Sequence, residues 1–466
     1  MMFAEDKPRE ECGVFGVFHH DQAAMHTYFG LHALQHRGQE GAGIASSDGI
    51  RLYCHKGRGL AAEVFKGNEL DKLPGDNSIG HVRYSTAGGD VAENVQPLMA
   101  RAQIGSIAAA HNGQIVNANV LRKRLEEQGS IFFSTSDSEI ILHLIQRGKG
   151  SMMEKIASAC RQMDGAFAFL VLTEHSLYAA RDRYGLRPLS MAAFDDGYCV
   201  SSETCAIEAI QAKWLRDICP GEIVKFSEQG VQSRFYAQER SHRLCAMEYI
   251  YFARPDSVLE GLNVHAARKR SGELMAEKDR EAGIRGDIVV GVPDSSLSAA
   301  AGYAEAAGLP NEMGLIKNRY VGRTFIEPTQ EQRDLAVRMK LSANGDVVRD
   351  KRIILIDDSI VRGTTSRRII RLLKEAGAKE VHLRIASPPL RWPCFYGIDI
   401  ATKKELVSAR VDPVKLSEQV EADSLCFLDV ADLERIYGQD RCCYACFDGH
   451  YPSSLYDHKE EADPAG

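Results

Sequence analysis

Residues 353–366 read IILIDDSIVRGTTS. Four aliphatic residues, Ile353 to Ile356, run into two adjacent acids, Asp357 and Asp358, and then Ser359. The small polar run Arg362-Gly363-Thr364-Thr365-Ser366 follows, and a helical pattern begins there. The order is strand, turn, helix N-terminus. Exposed N–H groups at a helix start, with threonine hydroxyls beside them, make an anion site. The helix dipole adds roughly 0.3–1 kcal/mol for an anion in the first turn, and Gly363 lets the backbone come close to a phosphate. The acids decide which phosphate compound is meant. Two carboxylates at a strand's end repel a bare phosphate, but they accept hydrogen bonds from sugar hydroxyls or bind a cation. An anion site on one side and a diol site on the other describe a ribose 5-phosphate. The competing reading is a capped helix with surface acids. No GxxxxGK[ST] string occurs, which sets aside a Walker-type nucleotide loop.

Outward from this loop, Asp287–Val292 and Glu380–Ser387 are also short, nearly continuous apolar runs, with helical stretches at Ser296–Ala307 and Thr364–Ala376. That is the βαβ pattern of a parallel sheet buried on both faces. The N-terminal half differs. Strands are expected at Cys12–Phe18, Ile79–Thr86, Ile107–His111, Ala166–Thr173, Leu177–Arg181 and Tyr198–Ser201. Helices are expected at Asp21–His36, capped by Asp21 and stopped by Gly38, and at Asn117–Gln128, Ser138–Gln146 and Met152–Met163. Many strands with helices in groups imply stacked sheets covered by helices. A polar stretch, QERSHR, separates the two regimes near Ser241. A chain of 466 residues is long for one core.

Composition narrows the functional classes. With 44% hydrophobic and 26% charged residues the chain is that of an ordinary globular protein, and a net charge of −7 argues against a nucleic-acid binder. No apolar run reaches the 18 or so residues of a membrane helix. The first residues, MMFAEDKPREE, lack the apolar core of a secretory signal. A cytoplasmic protein without membrane or nucleic-acid partners is the expectation. Twelve cysteines without an export signal do not read as a disulfide framework. The run Arg441-Cys442-Cys443-Tyr444-Ala445-Cys446 stands apart, with the two-residue spacing of metal or cluster ligands.

The 353–366 string resembles the fingerprint of the type I phosphoribosyltransferases. The resemblance implies that Asp357 and Asp358 hold the ribose hydroxyls. Ser359, Arg362, Gly363, Thr364, Thr365 and Ser366 would then wrap the 5-phosphate. It also implies Mg²⁺ at Ser295, Asp357 and Asp358, with the loop Gly291-Val292-Pro293-Asp294-Ser295-Ser296 facing pyrophosphate. The basic stretch Lys317–Thr324 is similar to the flexible loop that closes over substrate in that family; a solvated basic loop is the alternative.

Four further strings belong together: Glu11-Cys12-Gly13, His81-Val82-Arg83-Tyr84-Ser85-Thr86, His111-Asn112-Gly113 and Ser136-Asp137-Ser138-Glu139. They resemble the class II glutamine amidotransferases, whose N-terminal-nucleophile domain begins with cysteine. Residues 1–11 would then be a propeptide. The chemistry explains the need for cleavage. A thiol with a pKa of roughly 8.5 needs a base, and a freed α-amine near roughly 7.7–8.0 is partly neutral at cellular pH, whereas a peptide nitrogen is no base. The resemblance implies that Cys12 is the nucleophile. Asn112 and Gly113 would supply the oxyanion donors, Arg83 would bind the glutamine carboxylate and Asp137 its ammonium group.

The two halves joined resemble the glutamine phosphoribosylpyrophosphate amidotransferase family, in its propeptide- and iron–sulfur-containing branch. The implied architecture is an αββα N-terminal-nucleophile domain over 12–240 and a parallel-sheet phosphoribosyltransferase domain over 241–466. In that family glutamine supplies ammonia, which is channelled to displace pyrophosphate from phosphoribosyl diphosphate and gives 5-phosphoribosylamine. Purine nucleotides inhibit, and homotetramers are common. The branch also implies a [4Fe–4S] cluster on Cys245, Cys394, Cys443 and Cys446. Tetrahedral zinc is the chemical alternative, and Cys442 is a possible substitute for Cys443. A non-catalytic phosphoribosyl-diphosphate sensor is the rival function, although it has no need of a glutamine site.

Overall fold

The computed structural model describes residues 12–84, 91–102, 105–318, 341–400 and 402–459. The expected propeptide 1–11, the strand end at Ser85 and Thr86, and the basic stretch 319–324 lie outside the described residues.

The first half forms two stacked sheets. One has seven strands, with Gly13–Phe18 paired antiparallel to Asn77–Arg83 on one side and Gly197–Ser201 on the other. The second has six, with Gly105–Ile115 paired to Gly165–Leu172 near its centre. Side chains alternate along Gly13–Phe18. Val14 and Phe18 point between the sheets toward Ala108, Leu170 and Val224. Phe15 and Val17 point outward under the helices Ala23–Ala33 and Thr204–Ala209. Both faces are buried, which explains a continuous apolar run where a half-exposed strand would alternate. The outer face of the six-stranded sheet is covered by Ala118–Glu127, Ile140–Arg147 and Met152–Gln162. The layers are therefore αββα.

The expected cap of the first helix is corrected. The helix starts at Ala23 with Gln22 at its N-cap and no side-chain cap bond. Asp21 instead stands 3.2 Å from the ring of His20. The helix ends at Ala33, and a 3₁₀ turn, Gln35–Arg37, carries the chain inward.

The second half holds four parallel strands in the order Ile288–Gly291, Arg352–Asp357, Glu380–Ile385, Ser424–Phe427. Val264–Ala282 and Leu297–Ala307 cover one face against Ile354 and Ile356. Thr364–Glu375 and Pro413–Gln419 cover the other against Ile353 and Leu355. Between the halves, Leu244–Cys245 pairs in parallel with Cys442–Cys443, so the end of the chain returns to the junction. Among the described residues no helix is long and apolar enough to cross a membrane.

Candidate active site

Cys12 sits just before the central strand Gly13–Phe18. Its Sγ lies 3.5 Å from both the amide nitrogen and the carbonyl oxygen of Tyr84, which follows the buried Arg83 at the end of Asn77–Arg83. Asn112 and Gly113 belong to the other sheet. They are drawn to the same place by Ser202, whose Oγ accepts from the Val14 amide at 3.0 Å and from Asn112 Nδ2 at 3.4 Å. Asn112 is fully buried, and its Oδ1 has no hydrogen-bond partner among the described residues. A buried amide oxygen without a partner is costly, and turning the amide over gives it the Ser202 hydroxyl and leaves Nδ2 to donate toward a ligand. Gly113 has φ +137°, and a Cβ there would meet the Ala166 carbonyl oxygen at 2.2 Å, so the position admits only glycine. Asp137 opens a 3₁₀ turn and accepts from the Ile115 amide at 2.8 Å, beside the same strand.

Two buried histidines fix this strand. Burial drives the His81 ring down to about 3, so it is neutral, and its Nε2 donates to the His111 carbonyl at 3.0 Å. The His111 Nδ1 pairs with Ser138 Oγ at 2.8 Å, next to Asp137.

The sequence reading missed the network beneath Cys12. Arg37 Nε donates to the Cys12 carbonyl at 3.1 Å. Its other nitrogens reach Glu203 at 2.6 Å and Glu248 at 2.7 Å, and all three side chains are almost wholly buried. Burial alone would raise the Glu203 carboxyl, but His36 and Arg37 outweigh it and hold the group well below the ordinary carboxylate range. Glu248 begins a turn of π-helix, Glu248–Phe252, whose backbone is clamped by the buried Arg268 through the carbonyls of Tyr249 and Ala253. The only local signal was a charged run, QHRGQE, directly after an apolar helix.

The second site lies at the carboxyl ends of two adjacent parallel strands, where open α/β sheets bind ligands. Gly291 and Ile356 are register partners, so the loops after them face each other. Asp357, Asp358 and Ser359 are buried. Ser295 Oγ donates to Asp358, Ser296 Oγ donates to Asp357 at 3.2 Å, and Ser359 Oγ donates to Asp358 at 2.8 Å. Gly363, at φ +81°, is the N-cap of Thr364–Glu375, with Thr364, Thr365 and the buried Ser366 in the first turn. Arg362 pairs with Glu405. Lys317 pairs with Asp294 at 2.7 Å across the loop after Gly291.

The four cysteines singled out from sequence gather at the junction. Cys245 and Cys443 are register partners. Cys394 packs against the apolar cluster that contains Cys443. Burial pushes the Cys443 thiol up to about 12 and Cys446 well above its ordinary value, and in both the nearby Cys394 adds to the rise. Cys442 points into the core on the other side, with Tyr249 and Tyr437. Among the described residues no three His, Cys, Asp or Glu side chains converge as a single metal ion requires.

Residues 81–209 match the glutamine amidotransferase domain family, and residues 260–386 match the phosphoribosyl transferase domain family. The amidophosphoribosyltransferase of Bacillus subtilis (strain 168) is 52% identical over 464 residues, spanning 98% of this chain and 97% of that protein. The chain belongs to the amidophosphoribosyltransferase family. The Staphylococcus aureus (strain MRSA252) member is 49% identical over 467 residues, covering 98% of this chain and 94% of its own length. The glutamine phosphoribosylpyrophosphate amidotransferase of B. subtilis, solved in complex with ADP and GMP, superposes with a TM-score of 0.91. It is 50% identical and covers 96% of this chain and 98% of its own. A structure described as the allosteric regulatory enzyme of purine biosynthesis superposes at 0.92, with 50% identity over 97% of this chain and 98% of that one. The activity is accordingly that of a glutamine-dependent phosphoribosyltransferase of purine biosynthesis. The amide nitrogen of glutamine is carried to phosphoribosyl diphosphate.

Proposed function

We propose that the reaction is divided between the two sites and runs through the residues gathered there. Cys12, freed by loss of residues 1–11, uses its own α-amine to take the thiol proton. The thiolate attacks the glutamine amide carbon. The oxyanion is held by the Gly113 N–H and by the Asn112 amide turned so that Nδ2 faces the thiol and Oδ1 accepts from Ser202. Arg83 and Asp137 hold the two ends of the amino acid. The amine returns the proton to the leaving ammonia, and water then releases glutamate from the thioester. At the second site Asp357 and Asp358 orient the ribose diol, and Ser359 and Arg362 to Ser366 hold the 5-phosphate. Ammonia attacks carbon 1, pyrophosphate departs, and the new amine gives up a proton. A shielded passage keeps ammonia unprotonated, so its lone pair survives transit.

The observation that carries this reading is the chain Val14–Ser202–Asn112. It joins the sheet that ends in Cys12 to the sheet that bears Asn112, Gly113 and the neighbour of Asp137. A phosphoribosyl-diphosphate sensor needs none of these.

Mg²⁺ fits Ser295, Asp357 and Asp358, since this ion is usually held by one or two carboxylates together with substrate phosphates; it would neutralise pyrophosphate. Cys245, Cys394, Cys443 and Cys446, which lie together at the junction, would hold a [4Fe–4S] cluster through four thiolates. The cluster would be structural, because the reaction moves no electrons. Cytoplasmic homotetramers inhibited by purine nucleotides complete the reading; the relative solved with ADP and GMP supports the inhibition by nucleotides.

The test is pyrophosphate release from purified protein given glutamine, phosphoribosyl diphosphate and Mg²⁺, with iron and sulfide measured on the same sample. Turnover with about four irons per chain is expected. Stoichiometric zinc would refute the cluster, and no turnover from iron-loaded protein with Cys12 exposed would refute the two-site scheme.

A further inference from the structure

The loop that carries Cys394 ends against the glutamine site. A Cβ built on Gly397 would lie 3.5 Å from the carbonyl carbon of Gly113, 3.7 Å from the Gln114 nitrogen and 3.0 Å from Arg187 Nη2, and Gly397 has φ +108°. The backbone conformation favours glycine, and a Cβ there would touch the strand at van der Waals distance and press on the Arg187 guanidinium. Arg187 has no exposed surface. Its Nη2 donates to the Tyr396 carbonyl, and its Nη1 stands 3.5 Å from the Glu248 carboxylate. The neighbouring Leu186 carbonyl accepts from the Cys245 amide at 3.1 Å. Val116, Ala166, Leu186, Tyr396 and Cys443 share one apolar cluster with Cys394 at its edge. Burial pushes the His111 ring down, and the Arg187 guanidinium also opposes its protonation. One buried cation therefore holds the loop that carries Cys394, through the Tyr396 carbonyl, and stands within electrostatic reach of the residue before Asn112. A buried arginine is costly unless it is paired and hydrogen-bonded, so Arg187 is held to Glu248 and the Tyr396 carbonyl.

We propose that Arg187 is a positioning residue that ties the four-cysteine site to the Asn112–Gly113 strand, so that occupancy of that site governs glutamine use and not phosphoribosyl transfer. The inference rests on the proposed roles of Gly113 and of the cysteines. Ligation of Cys394 fixes the loop, Arg187 holds it by the Tyr396 carbonyl, and Gly397 seats it on Gly113, whose N–H must aim at the oxyanion. Small misplacements of such a donor are expensive in rate. The same cation offsets the negative charge of ligated thiolates, so its removal disfavours the reduced, more negative form of a cluster.

The experiment uses full-length, iron-loaded protein carrying Arg187→Met, Arg187→Lys or Gly397→Ala. Expected in all three is a fall in kcat with glutamine of about 10- to 100-fold, with the glutamine KM within about three-fold and ammonia-driven turnover within about two-fold of wild type. Iron content should stay at the wild-type level. The cluster's reduction potential should move more negative in Arg187→Met only, since Arg187→Lys keeps the charge and Gly397→Ala leaves the cation in place. Loss of glutamine and ammonia turnover in step, or an unchanged glutamine kcat in Gly397→Ala, would overturn the proposal. Gly397→Ala decides the matter if Arg187→Met does not fold. Cys12→Ala separates the two levels. If it still consumes glutamine, the proposed nucleophile is wrong; if it does not and the Arg187 and Gly397 variants behave as wild type, only the Arg187 link fails.

Discussion

Gly113 is the position where one atom matters most. A methyl group there meets the Ala166 carbonyl at 2.2 Å, so Gly113→Ala must shift the strand whose N–H is the proposed oxyanion donor. Loss of one such donor costs about 3 kcal/mol of transition-state stabilisation. Glutamine-driven turnover should fall at least about 100-fold, with ammonia-driven turnover retained, as steady-state rates with each nitrogen source will show. Equal losses with both would mean that Gly113 serves the fold alone. Asp358 gives the opposite pattern. It is buried and receives hydroxyls from Ser295 and Ser359. Asp358→Asn removes the charge that the proposed Mg²⁺ and ribose contacts use. The KM for phosphoribosyl diphosphate should rise about ten-fold or more whichever nitrogen source is supplied. An unchanged KM would remove Asp358 from that site.

At the scale of elements, the two halves are clasped by ion pairs as well as by apolar packing. Arg181, on the strand Leu177–Arg181, meets Glu260 beyond the junction at 2.6 Å, with the carboxylate largely buried. Burial would raise Glu260, but Arg181 and His242 outweigh it and bring the carboxyl down to about 2. A depressed carboxyl contributes stability that is fully present above its unfolded value, near about 4.3, and is lost as pH falls toward the folded value. Wild type should therefore resist urea better than Glu260→Gln at pH 7, by up to about 3 kcal/mol, and the gap should narrow steadily below about pH 5. A gap that stays constant or widens on acidification would contradict this. The same elements explain what the sequence could tell. The strand, acids and helix start at 353–366 were legible because they are contiguous, and the placing of Cys12 with Asn112 and Gly113 because four short strings carry the pattern. Arg37, Glu203, Glu248 and Arg187 were not, because they meet across as many as 211 residues and each alone looks like a surface charge. The helix Val264–Ala282 was missed because Arg268 and Asp279 lie on its buried face and blur the apolar period. Gly41–Ser47, GAGIASS, was missed as a strand because small residues packed on both sides show no alternation.

For the whole molecule, the proposed scheme requires that ammonia formed at Cys12 reach the proposed second site at Asp357 and Asp358. Hydrogen bonds and ion pairs run from the Cys12 carbonyl through Arg37 to Glu248 and on through the π-helical turn to Arg268, whose guanidinium feels the charge of Asp358. Intact-mass measurement should show loss of residues 1–11 in active protein, and a glutamine-active chain that keeps them would remove the α-amine as base. Sedimentation should give a homotetramer; a monomer at working concentration would contradict the proposed assembly. The central claim, two sites sharing one nitrogen, is tested most directly by measuring pyrophosphate release from Cys12→Ala with glutamine and, in parallel, with a high concentration of ammonia. The account predicts no turnover with glutamine and near wild-type turnover with ammonia. Glutamine turnover that survives, or ammonia turnover that vanishes with it, would contradict the account.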